Sequence, residues 1–357
     1  MATIRFLSAG DTDGCSFYRC QEPARVLRLL GHDATSSRTI GLADALTADV
    51  IVFQRSSELP ALELMETLLK RSQRPKIVYE IDDDLLNVPE HFGSVFAGYQ
   101  DHDRRHRIRL MINQADAVTT PSSHLAGAVM AYRSSVAAEP IVVPNYVPER
   151  FVVDAVPELD TEPIIGWAGS ASHVQDFEQL VIPLRKVLRE TQAGIHTIGA
   201  DYTHRLRAAA RVRRWSPGDT WVDAVTEAQA RVRHTPWVDG VDGYMAELDF
   251  TIGLAPLVDD VFNRSKSDIK IKEYAARGIA PIVSHVGPYA ASPGLFTTAR
   301  LDSVPRWFAD IFGWTATITD LLEQPTFLRK MQTLALEWAR ENTLERHAGL
   351  WEKALLS

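Results

Sequence analysis

The chain has 357 residues, 45% of them apolar and 24% charged, with 38 basic against 46 acidic side chains and a formal net charge of −8. This is the composition of a soluble globular protein long enough for two α/β domains. The acidic balance supplies no global attraction to nucleic acid, although two local basic clusters, His102–Arg109 and His204–Arg214, stand out.

The two cysteines, Cys15 and Cys20, are too few for a disulfide framework and match no common zinc spacing. The N-terminus carries no leader signature, and no apolar run approaches the roughly 18 residues that a membrane span needs. The expectation is a cytoplasmic protein with free thiols.

In chain order, Thr3–Ser8 reads as a strand ending in a turn-rich loop, AGDTDG. A helix follows over Ser16–Leu30 and stops at Gly31. Asp49–Phe53 is the next strand, Leu59–Arg71 a helix, and Lys76–Ile81 a strand with Asp82, Asp83 and Asp84 at its carboxyl end. Another helix leads into the strand Ala117–Thr119. Ser122–Tyr132 is helical, and the strand Pro140–Val143 runs into Pro144-Asn145.

Between Pro144 and Pro163 lie four prolines and many acids, the composition of a linker. The alternation then restarts. Strands are expected at Ile164–Trp167, Ile195–Ile198, Phe250–Leu254 and Ala280–Ser284. Helices are expected at Arg205–Arg214, at Ile269–Arg277 closed by Gly278, and over most of the tail from Trp314. Trp215–Pro236 is ambiguous. Strands separated by helices of this length imply parallel, doubly wound sheets. The pattern predicts an α/β protein of two Rossmann-like domains facing a cleft, with ligand residues just after the strands.

The richest such place is Phe262–Gly278, FNRSKSDIKIKEYAARG. It follows a strand and opens a helix, and helix N-termini attract anions. Ser265 and Ser267 are expected to cap the helix and donate to phosphate. Lys266, just before the helix, and Lys270, in its first turn, suit a diphosphate whose charge grows as a bond to it breaks. Glu273 can accept two hydrogen bonds from a ribose diol.

This block resembles the donor-binding segment of retaining glycosyltransferases of the GT-B fold, the family 4 group. That group carries a Glu-x7-Glu motif ahead of a Gly-x-Pro-x-Val strand. Glu273 matches the second glutamate, and Gly278 to Val283 (GIAPIV) resembles the strand. The first glutamate falls at Ser265, where Asn263, Ser265 or Lys266 would substitute. Val142-Val143-Pro144-Asn145 with Phe151 is similar to the family's crossing between domains. Ile165 to Ser170 (IGWAGS) is similar to the first strand and loop of its donor domain, which implies donor contacts at Gly169 and Ser170 and, at the helix start, His173. The loop Gly10–Arg19 resembles the family's first glycine-bearing loop, which implies donor contact at Gly14. Arg19 is open between a phosphate contact and an ion pair, and Tyr18 is read as packing.

The resemblance implies an N-terminal acceptor-side domain over 1–148, a nucleotide-sugar domain over 149–335, and a last segment, 336–357, whose helix returns to the N-terminal domain. It further implies sugar transfer from a nucleotide-sugar, with a UDP-sugar favoured, to a hydroxyl acceptor, with retention, without a cofactor and without a metal. Lys266, with Arg19 or Lys270, would neutralise the leaving diphosphate.

Where the family has a His-Asp pair, this chain has Asp82-Asp83, expected to bind sugar hydroxyls or orient the acceptor; a Mg²⁺-binding Asp-x-Asp reading is disfavoured by the resemblance. The acceptor is open among a glycan, a small metabolite and a hydroxylated base in DNA, as in phage-type enzymes. A nucleotide-sugar epimerase and a non-catalytic sugar- or nucleic-acid-binding module are the other readings.

Overall fold

The computed structural model describes residues 1–90, 92, 96–133, 138–158, 162–208, 230–296 and 306–357. Most of the second basic cluster, and most of the ambiguous stretch after it, lie outside the described residues.

The first half is a six-stranded parallel sheet, β1 (Thr3–Leu7), β2 (Asp33–Ser37), β3 (Val50–Gln54), β4 (Lys76–Glu80), β5 (Ala117–Thr120) and β6 (Ile141–Val142), in the order β2-β1-β3-β4-β5-β6. The second half is another, β7 (Ile164–Gly169), β8 (Gly194–Gly199), β9 (Val232–Pro236), β10 (Ile252–Ala255), β11 (Ala280–Val283) and β12 (Leu295–Phe296), in the order β12-β11-β10-β7-β8-β9. The strand pairings are parallel. The fold class expected from the alternation is the one found.

Central strands are covered by helices on both faces, which demands continuous apolar runs. β3 (VIVFQ) is buried at every position. β2 (DATSS) lies at the sheet edge, with a mixed burial pattern. Its polar residues carry no strand signal, and the sequence pattern does not predict it. β9 (VRHTP), at the edge of the other sheet, fell in the ambiguous stretch for the same reason.

Two glycines shape the second half. Gly278 (φ 68°) ends the helix Ile269–Ala276 in the left-handed region, where a Cβ is disfavoured. Gly199 (φ 96°) closes β8, and a side chain there would strike the Gly169 carbonyl oxygen at 2.4 Å.

The helix Pro325–Glu341 packs on the second half through Ala335 and Ala339. The chain then crosses back: Val147 pairs with Thr343, and the last helix, Ala348–Leu356, buries Trp351 and Leu355 among Ile4, Phe6, Leu27 and Val50.

In each sheet the strand order reverses at one point, beside β1 in the first and between β7 and β10 in the second. Such switch points open crevices at the carboxyl ends of strands. Here the two crevices meet in one cavity of about 350 Å³, within the range of small-ligand pockets.

Candidate functional site

The cavity is walled by the loop after β1 (Thr12 to Cys15) and by Asp82 and Asp83 after β4. From the second half it takes Gly169, Ser170 and His173 after β7, Trp237 after β9, and Lys266, Ser267, Lys270 and Glu273 around the start of the helix Ile269–Ala276. Of the residues singled out from sequence, Gly14, Asp82, Asp83, Gly169, Ser170, His173, Lys266, Ser267, Lys270 and Glu273 line this one cavity.

Glu273 is 6% exposed. Its Oε1 accepts from Tyr18 Oη at 3.0 Å and its Oε2 from Tyr244 Oη at 2.9 Å. Burial pushes its carboxyl above the ordinary value, while Lys270 and the two hydroxyls pull it back. Burial in turn lowers the Lys270 ammonium, against the pull of Glu273.

Lys266 Nζ stands 3.7 Å from Asp83 Oδ1 across the cleft. Arg55 Nε is 3.3 Å from Asp82 Oδ1, and its Nη1 is 3.7 Å from Asp83 Oδ2 and donates to Cys15 Sγ at 2.8 Å. Burial raises both aspartates, but Lys266 and Arg55 outweigh it at Asp83, which is held below the ordinary carboxylate value. Asp82 stays raised, with Arg55 opposing burial and Asp83 reinforcing it. Two neighbouring carboxylates thus differ in proton affinity because one has two cations and the other effectively one.

Arg55 holds its position through a backbone at φ 50°, the single non-glycine residue with positive φ among those described. That conformation costs a side-chain-bearing residue of order 1–3 kcal/mol.

Opposite, His173 Nδ1 pairs with Asp176 Oδ2 at 2.7 Å. Burial lowers the imidazole's pKa and Lys266 lowers it further, against the Asp176 contact, so the neutral ring is favoured. The other Asp176 oxygen accepts from Val258 N at 2.7 Å and Asn263 Nδ2 at 3.1 Å, tying the loop after β10 to the helix Val174–Glu190.

Three expectations are corrected by position. Arg19 is fully buried behind the cavity wall: its Nε donates to Glu80 Oε1 at 2.6 Å, its Nη1 to Val143 O at 2.6 Å and Asn145 Oδ1 at 2.8 Å, and its guanidinium lies 4.7 Å from the Trp351 ring. Asn263 is absent from the cavity wall, its amide bound to Asp176 and Val258 O. Ser265 is absent from it too; its Oγ donates to Val261 O, and its carbonyl accepts from Ser122 Oγ of the first half at 2.8 Å.

Neither serine caps the helix. Asp268 occupies the N-cap position, its carboxylate accepting from Lys272 Nζ at 2.8 Å and Ser292 Oγ at 2.9 Å. Ser267 Oγ accepts from Asn145 Nδ2 at 3.0 Å.

Tyr18, read as packing, is a wall residue with a polar task. Arg55, Tyr244 and Trp237 were not singled out from sequence, and Asn145 only as part of the crossing between domains. Arg55 and Trp237 each follow a strand directly, the signal that drew attention to Asp82 and Ser170. Tyr244, on the short helix Val241–Ala246, had none.

The ligand atoms of Cys15, Asp82 and Asp83 lie within 4.8 Å of one another, close enough to share a metal ion. Arg55 and Lys266 already balance these carboxylates, so a divalent cation would enter against two positive charges.

No family model matches the sequence, and no curated protein matches it. Solved structures do. HepE of Anabaena, in complex with UDP-glucose, aligns over 99% of this chain and 98% of its own, at TM-score 0.61 and 13% identity. A glycosyltransferase from Rickettsia africae covers the same shares at TM-score 0.60 and 13% identity. The fold is GT-B. TarM of S. aureus aligns over 86% of this chain at TM-score 0.54 and 12% identity, and the chain spans 55% of TarM's length. At such identities the likeness carries the fold, and function is argued from the site.

No helix among the described residues is long and apolar enough to cross a membrane.

Proposed function

We propose that this GT-B chain is a glycosyltransferase that moves a sugar from a nucleotide-sugar, a UDP-sugar by preference, to a hydroxyl acceptor, with retention and without a metal. The observation that carries the reading is the cavity at both switch points, in which Glu273, Lys270, Lys266 and Ser267 converge from one helix start. HepE was solved with UDP-glucose, and the pneumococcal protein GtfA, described as an O-GlcNAc transferase, with UDP and GlcNAc.

In this reading the ribose diol replaces the tyrosine hydroxyls on Glu273. The diphosphate lies between the helix start and Lys266 and Lys270, where fixed positive charge stabilises the negative charge that grows as the glycosidic bond breaks. The acceptor approaches past Asp82 and Asp83, which orient its hydroxyl. The departing phosphate takes the acceptor's proton on the same face of the sugar, giving retention. The cations already paired with Asp82 and Asp83 favour a metal-free site.

The test is thermal melting with UDP, GDP, ADP, CDP and dTDP and their sugars, with and without Mg²⁺. Ligand at about a hundred times its dissociation constant adds about 2.7 kcal/mol. A shift with one nucleotide, insensitive to Mg²⁺ and lost in Glu273→Ala, supports the reading. No shift with any nucleotide overturns it.

A further inference from the structure

A second cavity of about 340 Å³ opens on the first half alone, at the carboxyl ends of β1 and β3. Its walls carry three arginines, Arg38, Arg55 and Arg104, and Glu58 is the single acid among the described residues lining it. Two of the guanidiniums lie over the Tyr99 ring, Arg55 at 5.6 Å and Arg104 at 4.4 Å from its centre. Ser57 fixes Arg104 by accepting from its Nε at 2.7 Å.

The carboxylates that balance the two outer arginines are solvent-facing. Glu58, on Arg104, is 67% exposed, and Asp11, 3.7 Å from Arg38, is 65% exposed. Exposed pairs of this kind contribute little, so an anion entering the cavity can replace them. A forked guanidinium matches the oxygens of a phosphate or carboxylate.

Arg55 lines this second cavity and touches residues that line the first, its donors reaching Cys15, Asp82 and Asp83. A ligand seated here is one side chain away from the transfer site.

We propose that this cavity is the subsite for a negatively charged acceptor, a sugar bearing a phosphate or carboxylate, held by Arg38 and Arg104 while its hydroxyl points past Arg55 toward Asp82 and Asp83. The acceptor role rests on the transferase reading above; the anion site itself does not.

Titration calorimetry of the full chain with glucose 6-phosphate, glucuronate and glucose, each with and without UDP, tests it. At least one anionic sugar is expected to bind about tenfold or more tightly than glucose, the scale of one charge-assisted contact. Arg38→Gln and Arg104→Gln should each remove most of that advantage and leave UDP affinity unchanged. Arg38, exposed at the rim, keeps the test informative if Arg104→Gln disturbs packing. Preference for glucose 6-phosphate alone identifies a phosphate, and for glucuronate alone a carboxylate.

Equal binding of all three sugars, or a preference untouched by Arg38→Gln, overturns the proposal even where UDP binds. Anionic sugars that bind through Arg38 to a protein that ignores UDP would support the anion site and sink the transferase reading.

Discussion

Tyr18 Oη donates to Glu273 Oε1 at 3.0 Å across the cleft, tying a helix of the first half to the carboxylate proposed to hold the ribose. With Tyr244 Oη donating to Oε2 at 2.9 Å, each oxygen of Glu273 carries one tyrosine hydroxyl. In the proposed reading a ribose diol competes with these hydroxyls, and the Tyr18 bond is the one that joins the two halves. Removing the Tyr18 hydroxyl removes a competitor; removing the carboxylate removes the acceptor. Tyr18→Phe is expected to keep or improve UDP affinity. Glu273→Ala is expected to weaken it by more than about tenfold, since hydrogen bonds to a charged group contribute about 1.5–3 kcal/mol. Calorimetric titration with UDP separates the two, and equal losses would make Tyr18 itself a ligand contact.

The Arg19–Glu80 pair is fully buried on both sides. Breaking such a pair by removing one partner costs at most about 3–5 kcal/mol, because the Glu80 carboxyl, pushed up to about 8 by burial even beside Arg19, can take up a proton when the guanidinium is gone. Arg19→Ala should lower unfolding free energy by at most that amount, as measured by urea denaturation. Donor affinity of the folded fraction should remain near wild type, because the guanidinium faces Val143, Asn145 and Trp351 rather than the cavity. A large loss of UDP affinity in a stably folded variant would return Arg19 to the phosphate.

Lys266 is the wall cation that also meets the first half, through Asp83 at 3.7 Å. In the proposed reaction its charge matters most as the diphosphate leaves. Lys266→Ala is expected to lower kcat by more than about tenfold, with a smaller change in KM. Asp83→Asn, which releases the lysine from its partner, should leave donor binding intact and act on the acceptor side. Donor hydrolysis followed beside acceptor transfer distinguishes the two variants. Near-normal kcat in Lys266→Ala would remove it from catalysis.

How much of this was legible in the sequence depended on where each residue sits. Central strands such as β3 announce themselves because both faces are buried. The polar edge strands β2 and β9 do not. Most of the cavity wall was reachable by one rule, that polar residues after strands in an α/β sheet face the crevice, and that rule found Asp83, Ser170 and Lys266. It could not find Tyr18 or Tyr244, which reach Glu273 from helix faces where an aromatic residue also serves the core. The family resemblance put Asn263 at the site and left Arg19 open between a phosphate and an ion pair, since the sequence does not reveal that their polar atoms are consumed by Asp176 and Glu80 one layer behind it.

His173 gives a pH signature. Its folded pKa lies below the ordinary 6.5 because burial and Lys266 disfavour the imidazolium. The unfolded chain therefore binds this proton more readily than the folded one, and the sign of the linkage is that stability falls as pH drops below about 6.5 toward the folded pKa. Above 6.5 both states are neutral at this site and the contribution is flat. His173→Gln should abolish this component. The difference between wild-type and variant melting temperatures is expected to be constant above about pH 7 and to move in the variant's favour on acidification. Melting curves at half-unit pH steps measure it. A difference moving the other way would mean that Asp176 dominates and that the folded protein holds His173 as the cation, leaving a third positive charge beside Lys266 and Lys270.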